Sequence, residues 1–273
     1  MRKLKPIAVL LCAAAAISSC DLFEGTGVQS ITGPMATSRI KFFNFGVNTP
    51  QVNFYADDQK MSAITSTRCT APTPADTQAC RLSGIEATTG VAYAAAAAGG
   101  LYVAIDPGSH TVTGRIAATT DNNLAISTVA ATIDDGNYYS FYQSGIYDAT
   151  AKTVDAFIVE DVLPSGPIDF SVAHVRFVNA ISNGTGALNL YATNTTTTTE
   201  YPLGGAIAYK AGGAFVAVPQ GIYNLRAAYT GAGTNLITRN TLNFVGGRVY
   251  TITARGSTAT ASTLGLDFTS NQQ

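Results

Sequence analysis

The sequence contains little charge and no tryptophan. Asp, Glu, Lys and Arg together make up 12% of the 273 residues, about half of their usual share in globular proteins. The formal net charge is −1, and Lys and Arg do not cluster beyond residue 5. Because a nucleic-acid binder needs a dense basic surface, we expect no nucleic-acid partner.

Motifs of the common enzyme classes are also missing. The chain has no GxSxG, no HExxH and no GxxxxGK followed by Ser or Thr, the patterns of serine hydrolases, zinc proteases and P-loop proteins. His110 and His174 are the only histidines, and neither stands beside a nucleophile motif. Adjacent carboxylates on a strand point to opposite faces and do not form an acid–base pair. Such neighbours are Asp57-Asp58, Asp134-Asp135 and Glu160-Asp161. We therefore predict a protein that is not an enzyme and has no cofactor.

Two Asx-rich stretches carry several side-chain oxygens. They are Asp121-Asn122-Asn123 and Asp134-Asp135-Gly136-Asn137. Such stretches either form hairpin turns or supply oxygen ligands to Ca²⁺. The turns explain them without a metal, so we predict no metal site.

The N-terminus resembles the signal of a bacterial lipoprotein. Arg2, Lys3 and Lys5 precede an apolar run at 7–17, which is too short to span a bilayer. Ile17-Ser18-Ser19-Cys20 then resembles a lipobox. The resemblance implies a signal peptide at 1–19, lipidation of Cys20 and a flexible Gly/Thr/Ser-rich tether at 20–37. The alternative is an ordinary signal peptide that leaves Cys20 as a free thiol.

Cys69 and Cys80 are the cysteine pair left after Cys20 and the signal-peptide Cys12 are set aside. An exported chain with one such pair favours a disulfide, and closing this loop would stabilise the fold by roughly 3 kcal/mol. A metal-binding pair is the alternative, although the spacing is far from CxxC.

The remainder of the chain reads as two copies of one unit. Arg39–Asn44 matches His174–Asn179, Val52–Ala56 matches Leu188–Ala192, and Gly136–Phe141 matches Gly247–Ile252. The first copy has about twenty extra residues, which include Cys69 and Cys80. The Ala-rich segment from Gly90 to Ile105 looks helical, but its counterpart contains Lys210 and a Gly-Gly pair, so we predict two strands around a tight loop. We predict domains at 38–163 and 172–270, joined by a Pro/Gly linker at 164–171.

About seven short strands per copy, separated by Gly, Pro, Asn and Asp turns, predict an all-β fold of two tandem antiparallel β-sandwiches. The Arg/Lys-Phe-Val/Phe-Asn strand, the Val/Leu-Asn-Phe/Leu-Tyr strand, the turn from Pro219 to Tyr223 and the strand from Gly247 to Ile252 resemble the domain of unknown function 4397. The resemblance implies two immunoglobulin- or prealbumin-like domains in an exported or lipid-anchored bacterial protein. The family has no agreed activity or catalytic residues.

A group of aromatic residues near the end of the first copy is the candidate contact surface. Tyr139 and Phe141 align with apolar positions of the second copy, so Tyr138 and Tyr142 would face outward. Exposed tyrosines on a sheet can stack on sugars or peptides, which makes Tyr138, Tyr142 and Tyr147 candidate ligand contacts. The alternative is a structural role, with Tyr138 turned inward as a tyrosine corner after Asp134. His110 aligns with Tyr223, which favours a packed ring.

These features predict a lipid-anchored protein of the bacterial cell envelope, at the outer membrane on its periplasmic or surface face. It would act as a non-catalytic binding or structural module. Its expected partners are the membrane, through the N-terminal lipid, and an envelope glycan or an outer-membrane protein. The alternative is a glycan-processing accessory or hydrolytic enzyme with its site near the Cys69–Cys80 insertion.

Overall fold

The structure is a computed structural model that describes residues 37–62, 64–66, 84–86 and 90–271. The predicted signal peptide, Cys20 and nearly all of the tether lie outside these ranges. Cys69, Cys80 and the alternative enzymatic site predicted beside them also lie outside, so these assignments stay predictions. Within the described ranges, no helix is long and apolar enough to cross a membrane.

Two β-sandwiches make up the described residues, which confirms the predicted all-β fold. The strands of the first sandwich are β1 (Ser38–Asn44), β2 (Val52–Ala56), β3 (Gln59–Lys60), β6 (Ala95–Ala96), β7 (Val103–Ile105), β8 (Gly108–Ile116), β9 (Ala125–Ile133), β10 (Tyr138–Asp148) and β11 (Thr153–Glu160). A small separate hairpin consists of β4 (Ile64–Ser66) and β5 (Gly84–Glu86). A 3-10 turn at Ala97–Gly100 separates β6 from β7. The segment from Gly90 to Ile105 is therefore two short strands around a tight loop, as predicted.

The second sandwich has a corresponding set of strands. They are β12 (Val172–Asn179), β13 (Leu188–Asn194), β14 (Glu200–Pro202), β15 (Val216–Pro219), β16 (Gly221–Tyr229), β17 (Ile237–Phe244), β18 (Val249–Ser257) and β19 (Thr260–Ser270).

Each sandwich has an inner and an outer sheet, and the strand pairing is the same in both. The inner sheets are β11-β10-β1, with β6 and β7 both paired to β1, and β19-β18-β12-β15. The outer sheets are β3-β2-β8-β9 and β14-β13-β16-β17. Most neighbouring strands are antiparallel, as predicted, but the central pairs β1–β10 and β12–β18 run parallel. The shared order makes the two sandwiches comparable position by position.

Period-two alternation divides the side chains of the inner strands between two faces. In β12, Val175 and Phe177 point into the core of the second sandwich, while Arg176 and Val178 point to the opposite face. The core of the first sandwich is built in the same way. Its members include Ile40, Phe42, Phe54, Ile105, Tyr139 and Phe141. Burial of each such side chain stabilises the fold by about 1.5–3 kcal/mol.

The Asn that closes the first strand of each sandwich has the same role in both. The Oδ1 atom of Asn44 accepts the N–H of Gly46, and that of Asn179 accepts the N–H of Ile181. The Nδ2 groups donate to main-chain carbonyls at 2.9 and 3.0 Å. The side chains thus satisfy backbone groups where the strands end, which explains why both strands end on Asn.

The inner sheets pack against each other through their second faces, so the molecule has four β-layers. A separate apolar cluster fills this interface with residues from both sandwiches. They are Phe43, Phe45, Tyr142, Phe157, Val178 and Ala180. The rings of Phe43 and Tyr142 stack with their centroids 4.8 Å apart. The two sandwiches accordingly belong to one compact unit.

A buried ion pair lies in the same interface. Arg176 of the second sandwich donates to the carboxylate of Asp161, which follows β11 of the first, and both side chains are at most 2% exposed. The second oxygen of Asp161 accepts the hydroxyls of Tyr102 and Ser140. Arg176 also donates to the carbonyl of Glu160 at 3.0 Å. Since these partners compensate both charges, the pair fixes how the two sandwiches meet.

Contacts across the interface are reciprocal. Arg255 donates to the hydroxyl of Tyr93 at 3.1 Å, and Ser144 hydrogen bonds to the hydroxyl of Tyr209 at 2.8 Å. Ser144 and Arg255 are corresponding positions, because they are 111 residues apart (255 − 144), which is the separation between matched residues of β10 and β18. Tyr93 and Tyr209 are the matched aromatic positions of the repeat. The interface is therefore pseudo-symmetric, like that of a two-fold dimer.

One pair of corresponding positions breaks this symmetry. The N–H of Asp161 donates to the carbonyl of Tyr138, and the N–H of Asn271 donates to that of Val249, the counterpart of Tyr138. Asp161 and Asn271 are therefore counterparts, but Asp161 is charged and Asn271 is neutral. Asn271 donates to the hydroxyl of Tyr102 at 3.0 Å. The first sandwich thus supplies the carboxylate at this pair of positions.

Lys41 occupies in β1 the position that Arg176 occupies in β12 (176 − 41 = 135), and it is fully buried. Its Nζ lies 4.7 Å from the centroid of the Tyr102 ring, but it finds no hydrogen-bond partner among the described residues. Burial lowers the pKa of Lys41 to about 8, although the nearby Asp161 favours the charged form. Burial of this amine in its charged form therefore destabilises the folded protein.

Replacement of Asp161 by Asn tests the ion pair. The variant leaves the guanidinium of Arg176 buried without a counter-charge, so we expect the free energy of unfolding to fall by about 3–5 kcal/mol. Asp121→Asn is the matched control, because its partly exposed pair with Lys152 should contribute at most about 1 kcal/mol. Urea denaturation measures both differences, and equal losses in the two variants would contradict the role of the buried pair.

The amine of Lys41 should make the protein more stable in mild alkali. The unfolded chain holds this proton up to about pH 10.5, whereas the folded protein releases it above about pH 8. Below pH 8 both states are protonated, so the free energy of unfolding should rise by roughly 2 kcal/mol between about pH 7.5 and about pH 9.5. Lys41→Met should be more stable than the wild type at the lower pH and should lack the rise. Chemical denaturation at both pH values checks this, and a pH-independent wild type would contradict it.

Candidate ligand-binding groove

The tyrosines predicted as ligand contacts do not form one exposed surface. Tyr142 does point away from the core of the first sandwich, but it is fully buried, so the prediction that it contacts a ligand is wrong. The second sandwich covers this face, and the ring of Tyr142 lies between Phe43 and Phe157. Burial raises the pKa of Tyr142 to about 12. Its role is to pack the interface.

Tyr138 and Tyr147 are each half-buried and lie apart from one another. Tyr138 meets the ring of Tyr102 edge-on, with the centroids 5.1 Å apart. Tyr147 packs against the core of the first sandwich. The corner contact is made by the neighbouring Tyr139, whose hydroxyl accepts the N–H of Asp134 at 3.1 Å. The corresponding Tyr250 accepts the N–H of Val245 in the second sandwich.

His110 is held between two acceptors. Its Nδ1 lies 2.8 Å from the carboxylate of Asp57, and its Nε2 lies 2.8 Å from the carbonyl of Asp106. Burial opposes the charged form, but the hydrogen bonds to Asp57 and Asp106 raise the pKa of His110 above its usual value. The aligned Tyr223 likewise donates to the carbonyl four residues before it, at 2.7 Å. Because both ring nitrogens are engaged, His110 is a structural clamp and not a free general base.

The Asx-rich stretches form turns. Asp121 has a positive φ of 54° and pairs with Lys152 at 2.8 Å. The carbonyl of Asp134 accepts the hydroxyl of Ser38, and the carboxylate of Asp135 accepts that of Thr37. Among the described residues, no group of three or more His, Cys, Asp or Glu side chains is arranged around a common point.

A groove of about 780 Å³ lies on the outer sheet of the first sandwich. β2 and β8 form its floor, and the loop after β8 forms one wall. The polar and aromatic residues that line the groove include Asn53, Tyr55, Asp58, Lys60, Arg115 and Asn122. Most of the residues that line the groove are polar. The face of the sheet that carries them points away from the second sandwich.

Tyr55 and Arg115 form the centre of the groove. The guanidinium carbon of Arg115 lies 4.4 Å from the centroid of the Tyr55 ring, a distance typical of a cation–π contact. Arg115 donates through Nε to the hydroxyl of Thr113 at 3.0 Å and through one terminal nitrogen to the carbonyl of Asp57 at 2.7 Å. These contacts hold the guanidinium in one orientation.

Asn53 has an unsatisfied acceptor at the floor of this groove. The residue is 8% exposed, and its Oδ1 has no hydrogen-bond partner among the described residues. A buried amide oxygen without a donor costs about 1–3 kcal/mol. A ligand that carries a hydroxyl or amide donor would offset this cost.

No motif in the sequence predicts this site. Asn53 and Arg115 are 62 residues apart (115 − 53) and become neighbours because they are paired across β2 and β8. The repeat matches Asn53 and Tyr55 to Asn189 and Tyr191, but it matches Arg115 to Ala228, so it did not indicate the arginine.

A protein-family model described as a domain of unknown function (DUF4397) matches residues 173–273. This match confirms the predicted resemblance for the second sandwich. A search of curated proteins finds no match to the chain. The description of the family names no ligand or reaction, so function must be inferred from the groove and the fold.

An NMR titration of the two histidines tests the clamp around His110. We expect the imidazole of His110 to titrate above the ordinary histidine value of about 6.5. In Asp57→Asn the pKa should fall, because the carboxylate that stabilises the imidazolium is gone. The pair should stabilise the fold fully below about pH 6.5, and this contribution should disappear as the pH rises through the folded-state pKa. An unchanged pKa in Asp57→Asn would contradict this role of Asp57.

Proposed function

We propose that the protein is a lipid-anchored, non-catalytic binding module of the bacterial cell envelope, built from two tandem copies of the DUF4397 unit. The observation that carries the binding role is the groove around Tyr55 and Arg115. It combines a fixed guanidinium, an aromatic ring and an amide oxygen that lacks a donor. These are groups that recognise a polar ligand.

The tandem copies are supported by the equal strand order of the two sandwiches and by the reciprocal contacts between them. The non-catalytic role is supported by His110, whose two nitrogens are both engaged. The anchor is supported by the lipobox at Ile17-Ser18-Ser19-Cys20. An anchored module of this kind presents its outer sheet to polymers or proteins of the envelope.

In-cell photo-crosslinking tests the proposal. A benzophenone amino acid replaces Asn122 at the rim of the groove, in the full chain expressed in a bacterial host. We expect this chain to fractionate with the membrane and to form a discrete species of higher mass after irradiation. Cys20→Ala should leave the membrane fraction, because the lipid is lost.

The matched control places the same amino acid at Thr238, which is exposed and pairs with Arg226 on the corresponding sheet of the second sandwich. Position 238 should not give the discrete species. Equal crosslinking at both positions would overturn the role of the groove, and a Cys20→Ala chain that stays wholly in the membrane would overturn the anchor.

A further inference from the structure

The outer sheet of the second sandwich contains a comparable tyrosine–arginine pair that already holds a carboxylate. The guanidinium carbon of Arg226 lies 3.9 Å from the centroid of the Tyr191 ring. Arg226 also donates to both oxygens of Glu200, at 2.7 and 2.8 Å. Tyr191 corresponds to Tyr55, but Arg226 lies directly opposite Tyr191 across the sheet, whereas Arg115 lies opposite Asn53, two residues from Tyr55. A planar carboxylate is therefore a group that an arginine stacked on a tyrosine of this sheet holds when one is present.

In the first sandwich, no carboxylate among the described residues takes the place of Glu200. The partner of Arg115 is Asp58, whose Oδ1 is 3.5 Å away and whose side chain is fully exposed. Glu200 stands on β14, whereas the corresponding β3 is two residues long and ends in Lys60. The guanidinium of Arg115 thus has one loosely held carboxylate beside it, an arrangement that leaves room for an anionic group.

The groove also contains groups that suit hydroxyls. The Oδ1 of Asn53 needs a donor, which a carboxylate cannot supply and a sugar hydroxyl can. The exposed amides of Asn122 and Asn123 line the rim. Amide side chains that line one groove, beside an arginine, match a ligand with several hydroxyls and one carboxylate.

We propose that the groove binds a carboxylated sugar, such as a uronic acid unit of an acidic glycan. Its carboxylate binds the guanidinium of Arg115 through the terminal nitrogen that does not donate to Asp57, and a ring hydroxyl donates to Asn53. This inference rests on the proposed binding role of the groove and adds the chemical class of the ligand.

Calorimetric titration of the purified full chain in detergent tests the inference, with trigalacturonate and its methyl ester as probes. The ester keeps the rings and hydroxyls but removes the charge. We expect trigalacturonate to bind, and we expect the ester to bind about 10- to 100-fold more weakly, the difference typical of losing a charge-assisted hydrogen-bonded pair. Affinity for the acid should fall as salt rises.

Arg115→Gln should reduce the affinity for trigalacturonate by about 10- to 100-fold. Arg115→Lys keeps the charge but loses the planar fork, and it should give an intermediate loss. Arg226→Gln is the matched control and should bind as the wild type does, because Glu200 already occupies Arg226. Urea midpoints of the variants confirm that they are folded.

Three outcomes would overturn the inference: no binding of trigalacturonate, equal binding of the acid and its ester, or full affinity in Arg115→Gln and Arg115→Lys. Equal, Arg115-dependent binding of hexaglutamate would overturn the assignment to a sugar. Each of these results leaves the crosslink at position 122 as a separate test of the binding role.

Discussion

The ion pair between Asp161 and Arg176 is the interaction on which the four-layer structure depends. Each inner sheet has a second face that would expose Phe43, Tyr142 and other apolar groups if it stood alone. The pair holds these faces together at a defined position, and the apolar cluster around it supplies the hydrophobic stabilisation. Breaking a buried pair costs more than the pair contributes, so this contact makes other arrangements of the two sandwiches unfavourable.

The interface also limits which surfaces remain open for the proposed ligand. Since the inner sheets cover one another, the wide open β-surfaces left to the molecule are the outer faces of the outer sheets. On the second sandwich, Glu200 neutralises Arg226 there. On the first, Arg115 has a looser partner and stands in a groove with Tyr55. The outer sheets of the two sandwiches, which have the same strand order, thus differ in how tightly their arginine is paired.

Local patterns in the sequence predicted much of this structure, but they did not predict the contacts between sheets. The repeat matched Asn44 and Asn179 as strand ends and favoured a packed ring for His110, because these features depend on residues within the same turn or strand end. Alternation indicated that Tyr142 leaves the core of its own sandwich, but not that a second sandwich covers it. The groove depends on cross-strand neighbours such as Asn53 and Arg115, whose pairing no local signal gives.

The difference between Asp161 and its counterpart Asn271 affects how two copies of the protein could meet. A pseudo-symmetric interface invites the same face of another molecule to compete for it. Two second sandwiches meeting in this way would bury two copies of Arg176 with Asn271 in place of the carboxylate. The uncompensated charge disfavours that encounter. Asp161 thus makes this face of the second sandwich specific for the first sandwich.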